Sequence, residues 1–191
     1  MEWSIRLAGI GDAAAILAIY SPIVAETAVS FEIEPPSIEE MRRRIETTML
    51  THPWLVCEQN GVIGYAYAGV FRTRPAYQWT AEVTVYVHPD HHRRGVANAL
   101  YTALFECLRI QGYRTAVAGI ALPNTASVAL HQRLGFRSIG VFHHVGHKLS
   151  RWHDVAWWEH ALQDYSSPPP APLPLPVVVN TRAWRSVFKL D

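Results

Sequence analysis

The sequence contains little cysteine: two residues in a chain of 191. Cys57 and Cys107 both lie in apolar segments, and neither belongs to a CxxC motif. This scarcity excludes a disulfide-stapled scaffold and a zinc ribbon, because both need several cysteines at fixed spacings. We therefore expect a reduced, cytoplasmic protein in which both thiols are buried and free.

The sequence also lacks an excess of charge of either sign and any long apolar run. Its formal net charge is +1, so no broad basic field argues for nucleic acid or an anionic membrane as a partner. No apolar run approaches the roughly 20 residues of a membrane-spanning helix, and no signal peptide is recognisable. Because 49% of the residues are hydrophobic and 17% are charged, the composition predicts one globular domain with a substantial core.

Hydrophobic periodicity predicts an α/β domain over residues 1–163, with the element order β-α-α-β-β-β-α-β-α-β-β. Alternating or short apolar runs predict strands at 3–8, 54–58, 62–71, 80–87, 115–120, about 136–148 and 154–162. Helical spacing predicts helices after the N-cap Asp12, after the capping box of Ser37 and Glu40, at about 95–111, and between Asn124 and Leu134.

Residues 164–191 have a different composition from the rest of the chain. SSPPPAPLPLP, at 166–176, is typical of an extended polyproline-type linker without a core of its own. The last fifteen residues are either an extension that docks on a partner or a disordered end. We expect a proline-rich linker followed by a disordered C-terminal tail.

The stretch HHRRGVANAL, at 91–100, follows an apolar strand and opens a helix. Free backbone N–H groups and the positive end of a helix dipole would converge there, and Gly95 would let an anion approach the backbone. Arg93 and Arg94 add donors for phosphate oxygens. A phosphate-binding turn is therefore one interpretation, and a surface turn with solvated arginines is the other. Neither GxxxxGK[ST] nor GxGxxG occurs in the sequence, which excludes the two commonest nucleotide-binding loops.

A metal site is the weaker interpretation of the histidine-rich segments. The adjacent His91 and His92 project in different directions, with no carboxylate or thiolate at ligand spacing nearby. On a strand, His143 and His147 share one face while His144 takes the other. Three convergent ligands are therefore not implied, and we expect no metal.

Two motifs carry a resemblance to a known family. His92-Arg93-Arg94-Gly95-Val96-Ala97 resembles the pattern [RQ]-x-x-G-x-[GA] of the GNAT superfamily of N-acetyltransferases, with histidine where arginine or glutamine is usual. Asn124, Ser127, His131, Gly135 and Phe136 fit that superfamily's second signature, N-x-x-[AS]-x-x-x-[YH]-x-x-x-G-[FY]. The segment from HPWLVCEQNG to VTVYV, and SRWHDVAWW, are similar to the phosphinothricin and methionine sulfoximine N-acetyltransferase group. This likeness covers roughly residues 3–162.

The resemblance implies the GNAT acyl-CoA N-acyltransferase fold, a central mixed, mostly antiparallel sheet flanked by helices. It also implies acetyl-CoA as co-substrate, a homodimer, and detoxifying acetylation of the α-amine of phosphinothricin, methionine sulfoximine or methionine sulfone. The residues that it assigns to acetyl-CoA are Val85, Tyr86, Val87, His92, Arg93, Arg94, Gly95, Val96, Ala97, Asn98, Asn124 and Ser127. The histidine at 92 can still donate one hydrogen bond to a phosphate.

Glu82 and His131 are the candidate catalytic residues. Glu82 lies in the apolar strand 80–87, where burial should raise the pKa of the carboxyl and suit it to act as a base; an ordinary strand-end carboxylate is the alternative. His131 lies on one helical stripe with Asn124 and Ser127. By resemblance it acts as an acid or as a partner in deprotonation, and a purely structural histidine is the alternative.

The acceptor is expected to be a small amino-acid-like molecule. The candidate acceptor-binding residues are Phe31, Arg72, Thr73, Arg74 and Tyr77. Two guanidinium groups suit a carboxylate or phosphinate and repel a polyamine, although both arginines could instead be surface charges. Residues 152–154, WHD, are expected to shape the acceptor pocket or the dimer contact. Another amino acid, a protein N-terminus, and a non-catalytic acyl-CoA-binding role remain open alternatives.

Overall fold

Seven strands form one sheet in the computed structural model, which describes residues 3–165 and 168–188. The strands are β1 (Ser4–Leu7), β2 (Trp54–Glu58), β3 (Val62–Val70), β4 (Thr80–Val87), β5 (Thr115–Ala121), β6 (Arg137–Lys148) and β7 (Arg151–Ala161). Their order across the sheet is β1-β2-β3-β4-β5-β7-β6. Every neighbouring pair is antiparallel except β4 and β5, which are parallel. The predicted mixed, mostly antiparallel sheet is confirmed.

Four longer helices flank this sheet, and their ends follow local hydrogen bonding. They are α1 (Ala13–Glu26), α2 (Ile38–Met49), α3 (Val96–Gln111) and α4 (Thr125–Arg133). The Ser37 hydroxyl accepts the Glu40 N–H at 3.1 Å, but the Glu40 carboxylate pairs with Arg43 and Arg44. Only half of the predicted capping box therefore forms, because two arginines on the same helix compete for the carboxylate.

The core lies on both faces of the sheet, and β2 illustrates why. Leu55 and Cys57 pack into the cluster beneath α3, whereas Trp54 and Val56 pack against α1 and α2. Side chains alternate between the two faces of a strand. When helices cover both faces, every position of the strand is buried, and its sequence is a continuous apolar run.

Both cysteines are free and buried, as the sequence predicted. Burial raises the pKa of the Cys57 thiol to about 11, so this thiol is un-ionised at neutral pH and chemically inert. Within residues 3–165 and 168–188, no helix combines the length and the apolarity required to cross a bilayer.

The C-terminal segment differs from its prediction as a disordered tail. Residues 168–188 contain two short helices, α5 (Leu175–Val178) and α6 (Arg182–Val187), which lie against α3. Leu175, Val178 and Trp184 are buried in the same core cluster as α3. The physical reason is the burial of these three apolar side chains, which a short helical segment can present on one face.

Hydrogen bonds to buried polar groups also hold this segment. The Leu173 N–H donates to the Gln111 carbonyl at 2.7 Å, and the Gln111 side-chain amide donates to the Leu173 carbonyl at 2.8 Å. The Trp79 indole N–H donates to the Pro170 carbonyl at 2.7 Å. Buried polar groups require partners, and the proline-rich segment supplies partners to the main chain and the side chain of Gln111 at the end of α3.

Trp184→Ala tests whether the tail is part of the folded domain. Trp184 is 3% exposed, and truncating a buried tryptophan should lower the free energy of unfolding by about 3 kcal/mol. Denaturant unfolding followed by circular dichroism measures the change. The adjacent, exposed Arg185 provides the control, since Arg185→Ala should stay within about 0.5 kcal/mol of the wild type. Equal midpoints for the two variants would contradict the docked tail.

Candidate active site

The site begins where β4 and β5 stop pairing. Within the described residues their parallel ladder joins only Thr80 to Thr115, Ala81 to Ala116 and Glu82 to Val117. Beyond these three pairs the strands separate, and their facing backbone N–H and C=O groups are left for another partner. The separation creates a gap in the middle of the sheet that suits an extended ligand with its own amide groups.

A cavity of about 80 Å³ occupies this gap. The two strands supply its walls, α4 and α3 supply polar side chains, and the segment between α1 and α2 supplies one residue. The lining residues are Val29, Val83, Thr84, Val85, Tyr86, Tyr101, Ala118, Gly119, Ile120, Ala121, Asn124, Ser127 and His131. The sequence identified five of these: Val85, Tyr86, Asn124, Ser127 and His131.

Asn124 starts α4 at the edge of the cavity. Its side-chain carbonyl accepts the Ser127 N–H at 3.1 Å, the usual bond of an N-cap asparagine. Because that bond uses the oxygen, the amide NH₂ group remains the part of Asn124 that can donate to a ligand in the gap.

His131 is buried at the inner end of this helix stripe. Its Nδ1 lies 2.8 Å from the Ser127 carbonyl oxygen, which can only accept, so Nδ1 carries the proton. Burial lowers the pKa of His131, and the hydrogen bond to Ser127 opposes this only in part. The imidazole is therefore neutral at pH 7, with the Nε2 lone pair directed at Tyr101, whose hydroxyl oxygen lies 3.3 Å away.

Tyr101 is a cavity residue that sequence reasoning missed. It lies on α3, is buried, and its hydroxyl is also 3.4 Å from the Val83 carbonyl. Burial raises the pKa of Tyr101, so the hydroxyl keeps its proton. Only the packing of α3 against α4 brings it to His131.

Glu82 belongs to the last paired position before the gap. It is half-buried, and burial raises the pKa of its carboxyl while the nearby Arg72 charge lowers it in part. On β3 it faces Gly69, and nothing lies within 4 Å of the position that a Cβ would take there. The space beside the carboxylate is therefore open on the β3 side, where a second molecule can approach.

In the loop before β4, aromatic contacts connect several side chains to the sheet. The Arg72 guanidinium lies 4.9 Å from the centre of the Phe71 ring, and Tyr77 contacts the same ring edge-on at 5.9 Å. Phe71 in turn lies 5.9 Å from the Trp157 ring, which packs beside Gly119 of the cavity wall. The structure thus connects this loop to the gap through Trp157, a residue that the sequence did not single out.

None of the five predicted acceptor residues is among the residues that line the cavity; Arg72 and Tyr77 contact the Phe71 ring. Thr73 and Arg74 are exposed on the loop, and Phe31 packs against Gly146 and His153 instead. Val29 occupies the cavity wall in place of Phe31.

The turn after β4 has the geometry of an anion site. Arg93 and Gly95 have φ angles of +59° and +86°, and α3 begins at Val96. Successive residues of opposite backbone hand direct their N–H groups into one concavity, and the first turn of a helix has N–H groups without intrahelical partners. Exposed Arg93 and Arg94 flank this concavity.

His92 hydrogen-bonds within the turn through its Nε2. That nitrogen lies 2.9 Å from the Val87 carbonyl and donates to it, so the ring closes the turn. Of the other residues assigned to acetyl-CoA, Val96 has a buried side chain. Val87, Ala97 and Asn98 do not line the cavity.

Two histidines of the β6–β7 hairpin form hydrogen bonds with other groups of the protein. His143 Nδ1 lies 2.8 Å from the Asp154 carboxylate, and His153 Nε2 donates to the Lys148 carbonyl at 3.0 Å. In the part of the chain that the structure describes, no three histidine, cysteine or acidic side chains group closely enough to hold a metal ion.

Comparison with known proteins agrees with this geometry. Residues 5–157 match the model of the acetyltransferase (GNAT) domain family. A phosphinothricin N-acetyltransferase of Streptomyces viridochromogenes is 40% identical over 88% of this chain and 92% of its own. An L-methionine sulfoximine/L-methionine sulfone acetyltransferase of Salmonella typhimurium is 35% identical over 86% of this chain and 98% of its own.

A solved structure supports the same assignment. A GNAT superfamily phosphinothricin acetyltransferase from Sinorhizobium meliloti, in complex with acetyl-CoA, superposes with a TM-score of 0.82. It is 32% identical, over 88% of this chain and 96% of that one. The fold is that of an acyltransferase, and the chain belongs to the GNAT family of N-acetyltransferases.

Gly95→Ala tests the anion-binding turn. Nothing lies within 4 Å of a Cβ at Gly95, so the cost of the substitution comes from its φ of +86°, which side chains disfavour by about 1–2 kcal/mol. We expect the Kd for acetyl-CoA, measured by calorimetry, to rise about tenfold as the turn relaxes. Gly11→Ala, at a glycine with equal space and no positive φ, should leave it unchanged. An unaltered Kd in Gly95→Ala would rule out the turn as the anion site.

Proposed function

We propose that this enzyme transfers the acetyl group of acetyl-CoA to the α-amine of phosphinothricin, methionine sulfoximine or methionine sulfone, a detoxifying reaction. The observation that carries the proposal is the position of Glu82 at the closed end of the β4–β5 gap, with Arg72 beside it and open space over Gly69. The similarity to acetyltransferases of these three compounds supports the choice of acceptors.

The residues present fit acetyl-CoA. The backbone of β4 at Val85 and Tyr86, which pairs with β3 but not with β5, would hold the extended amide-containing arm in the gap together with Asn124 and Ser127. The turn at 92–98 would hold the phosphates through backbone N–H groups and the two arginines. When bound, acetyl-CoA supplies a thioester carbonyl and a thiol leaving group.

Glu82 is suited to remove a proton from the acceptor amine. An α-amino group is mostly protonated at neutral pH and must lose a proton before it attacks a carbonyl. A carboxylate whose pKa is raised by burial is a stronger base than an ordinary glutamate, and the nearby Arg72 charge favours its ionised form. Its role depends on the ionised form, so activity should fall as pH decreases through this raised pKa.

Tyr101 and His131 are suited to protonate the leaving thiolate. The neutral His131 has no proton on Nε2, so by itself it is a poor acid. The Tyr101 hydroxyl retains its proton, lines the cavity and lies beside Nε2. We assign the donor role to Tyr101, with His131 holding its hydroxyl in place and able to share the proton.

Arg72, whose charge acts on Glu82, favours an acidic acceptor over a polyamine. A guanidinium pairs with carboxylate or phosphinate oxygens through two parallel hydrogen bonds, whereas a cationic acceptor would be repelled. Another amino acid or a protein N-terminus is the second candidate acceptor, and non-catalytic binding of acyl-CoA is the third possibility. The enzyme is assigned to the cytoplasm, with support from its buried free cysteines.

An acceptor panel tests the proposal directly. The enzyme is incubated with acetyl-CoA and a thiol reagent in the presence of phosphinothricin, methionine sulfoximine, methionine sulfone, other amino acids, a peptide N-terminus and spermidine. We expect thiol release with the first three and none with spermidine. Release with only other amino acids or the peptide would refute the acceptor class, and binding of acetyl-CoA without any release would refute the enzymatic role.

Glu82→Gln separates loss of the base from loss of the fold. We expect turnover to fall by about 10²-fold or more. Because burial raises the pKa of Glu82, its ionisation at pH 7 costs folding stability, and that cost grows as pH rises from the ordinary glutamate pKa to the raised value. The variant should therefore unfold at a higher denaturant concentration than the wild type at pH 7. Undiminished turnover would eliminate Glu82 as the base.

We also propose that the protein is a homodimer formed through the β6–β7 face. β6 is an edge strand, and Val141, Phe142, Val145 and Trp152 on this hairpin are 40–60% exposed. An edge strand with several exposed large apolar side chains is typical of an interface. Sedimentation equilibrium should give twice the mass of the chain, 21.5 kDa, and Phe142→Glu should reduce it to one chain. A monomeric wild type at micromolar concentration would contradict the dimer.

A further inference from the structure

The segment 27–34, between α1 and α2, is held in place by contacts with three other elements. Val29 lines the cavity at the β4–β5 gap, so the position of this segment shapes the site. The Tyr20 hydroxyl on α1 lies 2.8 Å from the Ser30 hydroxyl, and Arg44 on α2 pairs with Glu32 at 2.6 Å. The third set of contacts comes from the far end of the sheet.

Lys148, the last residue of β6, reaches this segment. It is 4% exposed, and its Nζ donates to the Val24 carbonyl at 2.6 Å and to the Ser30 carbonyl at 2.7 Å. Val24 lies in the last turn of α1, where carbonyls have no intrahelical partner and a cation is favourable. The last turn of α1 contains no basic residue of its own. Lys148 therefore caps α1 and ties the start of the segment to the sheet.

Gly146 and His153 receive the side chain of Phe31. These two residues are register partners on β6 and β7, and the His153 ring centre lies 6.1 Å from that of Phe31. A Cβ at Gly146 would lie 2.1 Å from Phe31 Cε2, so the ring lies directly on the glycine backbone. His153 also donates to the Lys148 carbonyl, which connects the two contacts.

We propose that Gly146, Lys148 and His153 form a seat on the β6–β7 hairpin that positions segment 27–34, and through Val29 and Phe31 sets the affinity for the acceptor. None of the three needs to touch acetyl-CoA or the reacting atoms; they are positioning residues. Val29 also lines the gap proposed for the acetyl-CoA arm, but the turn proposed for the phosphates lies at 92–98, away from the contacts of the seat. We therefore expect the larger effect on the acceptor. The acceptor part of this inference rests on the proposed function.

Lys148→Met removes the cation and both donated bonds while keeping the length of the side chain. At saturating acetyl-CoA we expect the KM for the acceptor to rise about tenfold, with the KM for acetyl-CoA within about twofold of the wild type. Arg151→Met, at an exposed cation on the same hairpin, should change neither. Equal acceptor KM values for the wild type and Lys148→Met, or parallel rises in both KM values, would overturn the seat.

A double-mutant cycle tests the contact between Gly146 and Phe31. Gly146→Ala should raise the acceptor KM several-fold, because its Cβ would displace the Phe31 ring. In the Phe31→Ala background that ring is absent, so adding Gly146→Ala should have little further effect. Independent, multiplicative effects of the two substitutions would show that Gly146 acts elsewhere, and would overturn this part of the seat.

Hydrogen exchange gives a readout that does not depend on the acceptor. In Lys148→Met, amides at 27–34 should exchange at least about tenfold faster than in the wild type, while those of α3 stay unchanged. If the wild type acetylates none of the panel, the proposed function fails, yet faster exchange at 27–34 still supports the seat. Unchanged exchange at 27–34 would refute the seat whatever the outcome of the panel.

Discussion

The rest of the site depends on the early end of the β4–β5 ladder. Three parallel pairs fix Glu82 at the closed end of the gap, and the strands then diverge. β4 continues for five more residues, roughly 16 Å at the usual rise of a strand, before the turn that opens α3. Glu82, the proposed base, and the turn proposed to bind phosphate thus lie at the two ends of one strand. An extended ligand can lie between them and use the backbone that the missing pairs leave free.

Burial changes the two candidate proton-handling groups in opposite directions. It raises the pKa of Glu82 and lowers that of His131, because in both cases it disfavours the charged form. Arg72 offsets part of the effect on Glu82, whereas the Ser127 carbonyl fixes which imidazole nitrogen of His131 holds the proton. In the proposed mechanism, the carboxylate of Glu82 would act as the base and the neutral Tyr101–His131 pair would supply the acid, so the two roles fall on separate groups.

Distant segments complete the hydrogen bonding of buried helix ends at two places. Lys148 donates to Val24 and Ser30, 124 and 118 residues earlier in the chain, at the end of α1. At the end of α3, the Gln111 carbonyl accepts the Leu173 N–H, and the Gln111 side-chain amide donates to the carbonyls of Thr51 and Leu173, 60 and 62 residues away. Helix termini leave carbonyls without partners, and buried ones must be satisfied from elsewhere. This requirement explains both the ordered tail and the fixed segment beside the cavity.

Much of the fold, and the family, could be predicted from the linear sequence. The alternation in 80–87 located Glu82 on a buried strand, and the turn at 92–97 and the helix stripe at 124, 127 and 131 identified the family. These features are local, because periodicity, capping and turn chemistry act over a few residues. The element order and the mixed sheet followed from the same patterns and from the resemblance that the motifs carried.

The remaining features were decided by contacts between elements far apart in the chain. Tyr101 meets His131 only because α3 packs on α4, and Val29 replaces Phe31 at the cavity because Phe31 rests on Gly146. His92 donates to its own strand, and the proline-rich tail docks because α3 offers it a buried amide and an apolar surface. The sequence by itself determined which residue types stand on which element; only the tertiary structure decided their partners, since a partner is set by packing and by the need to satisfy buried polar groups across the whole fold.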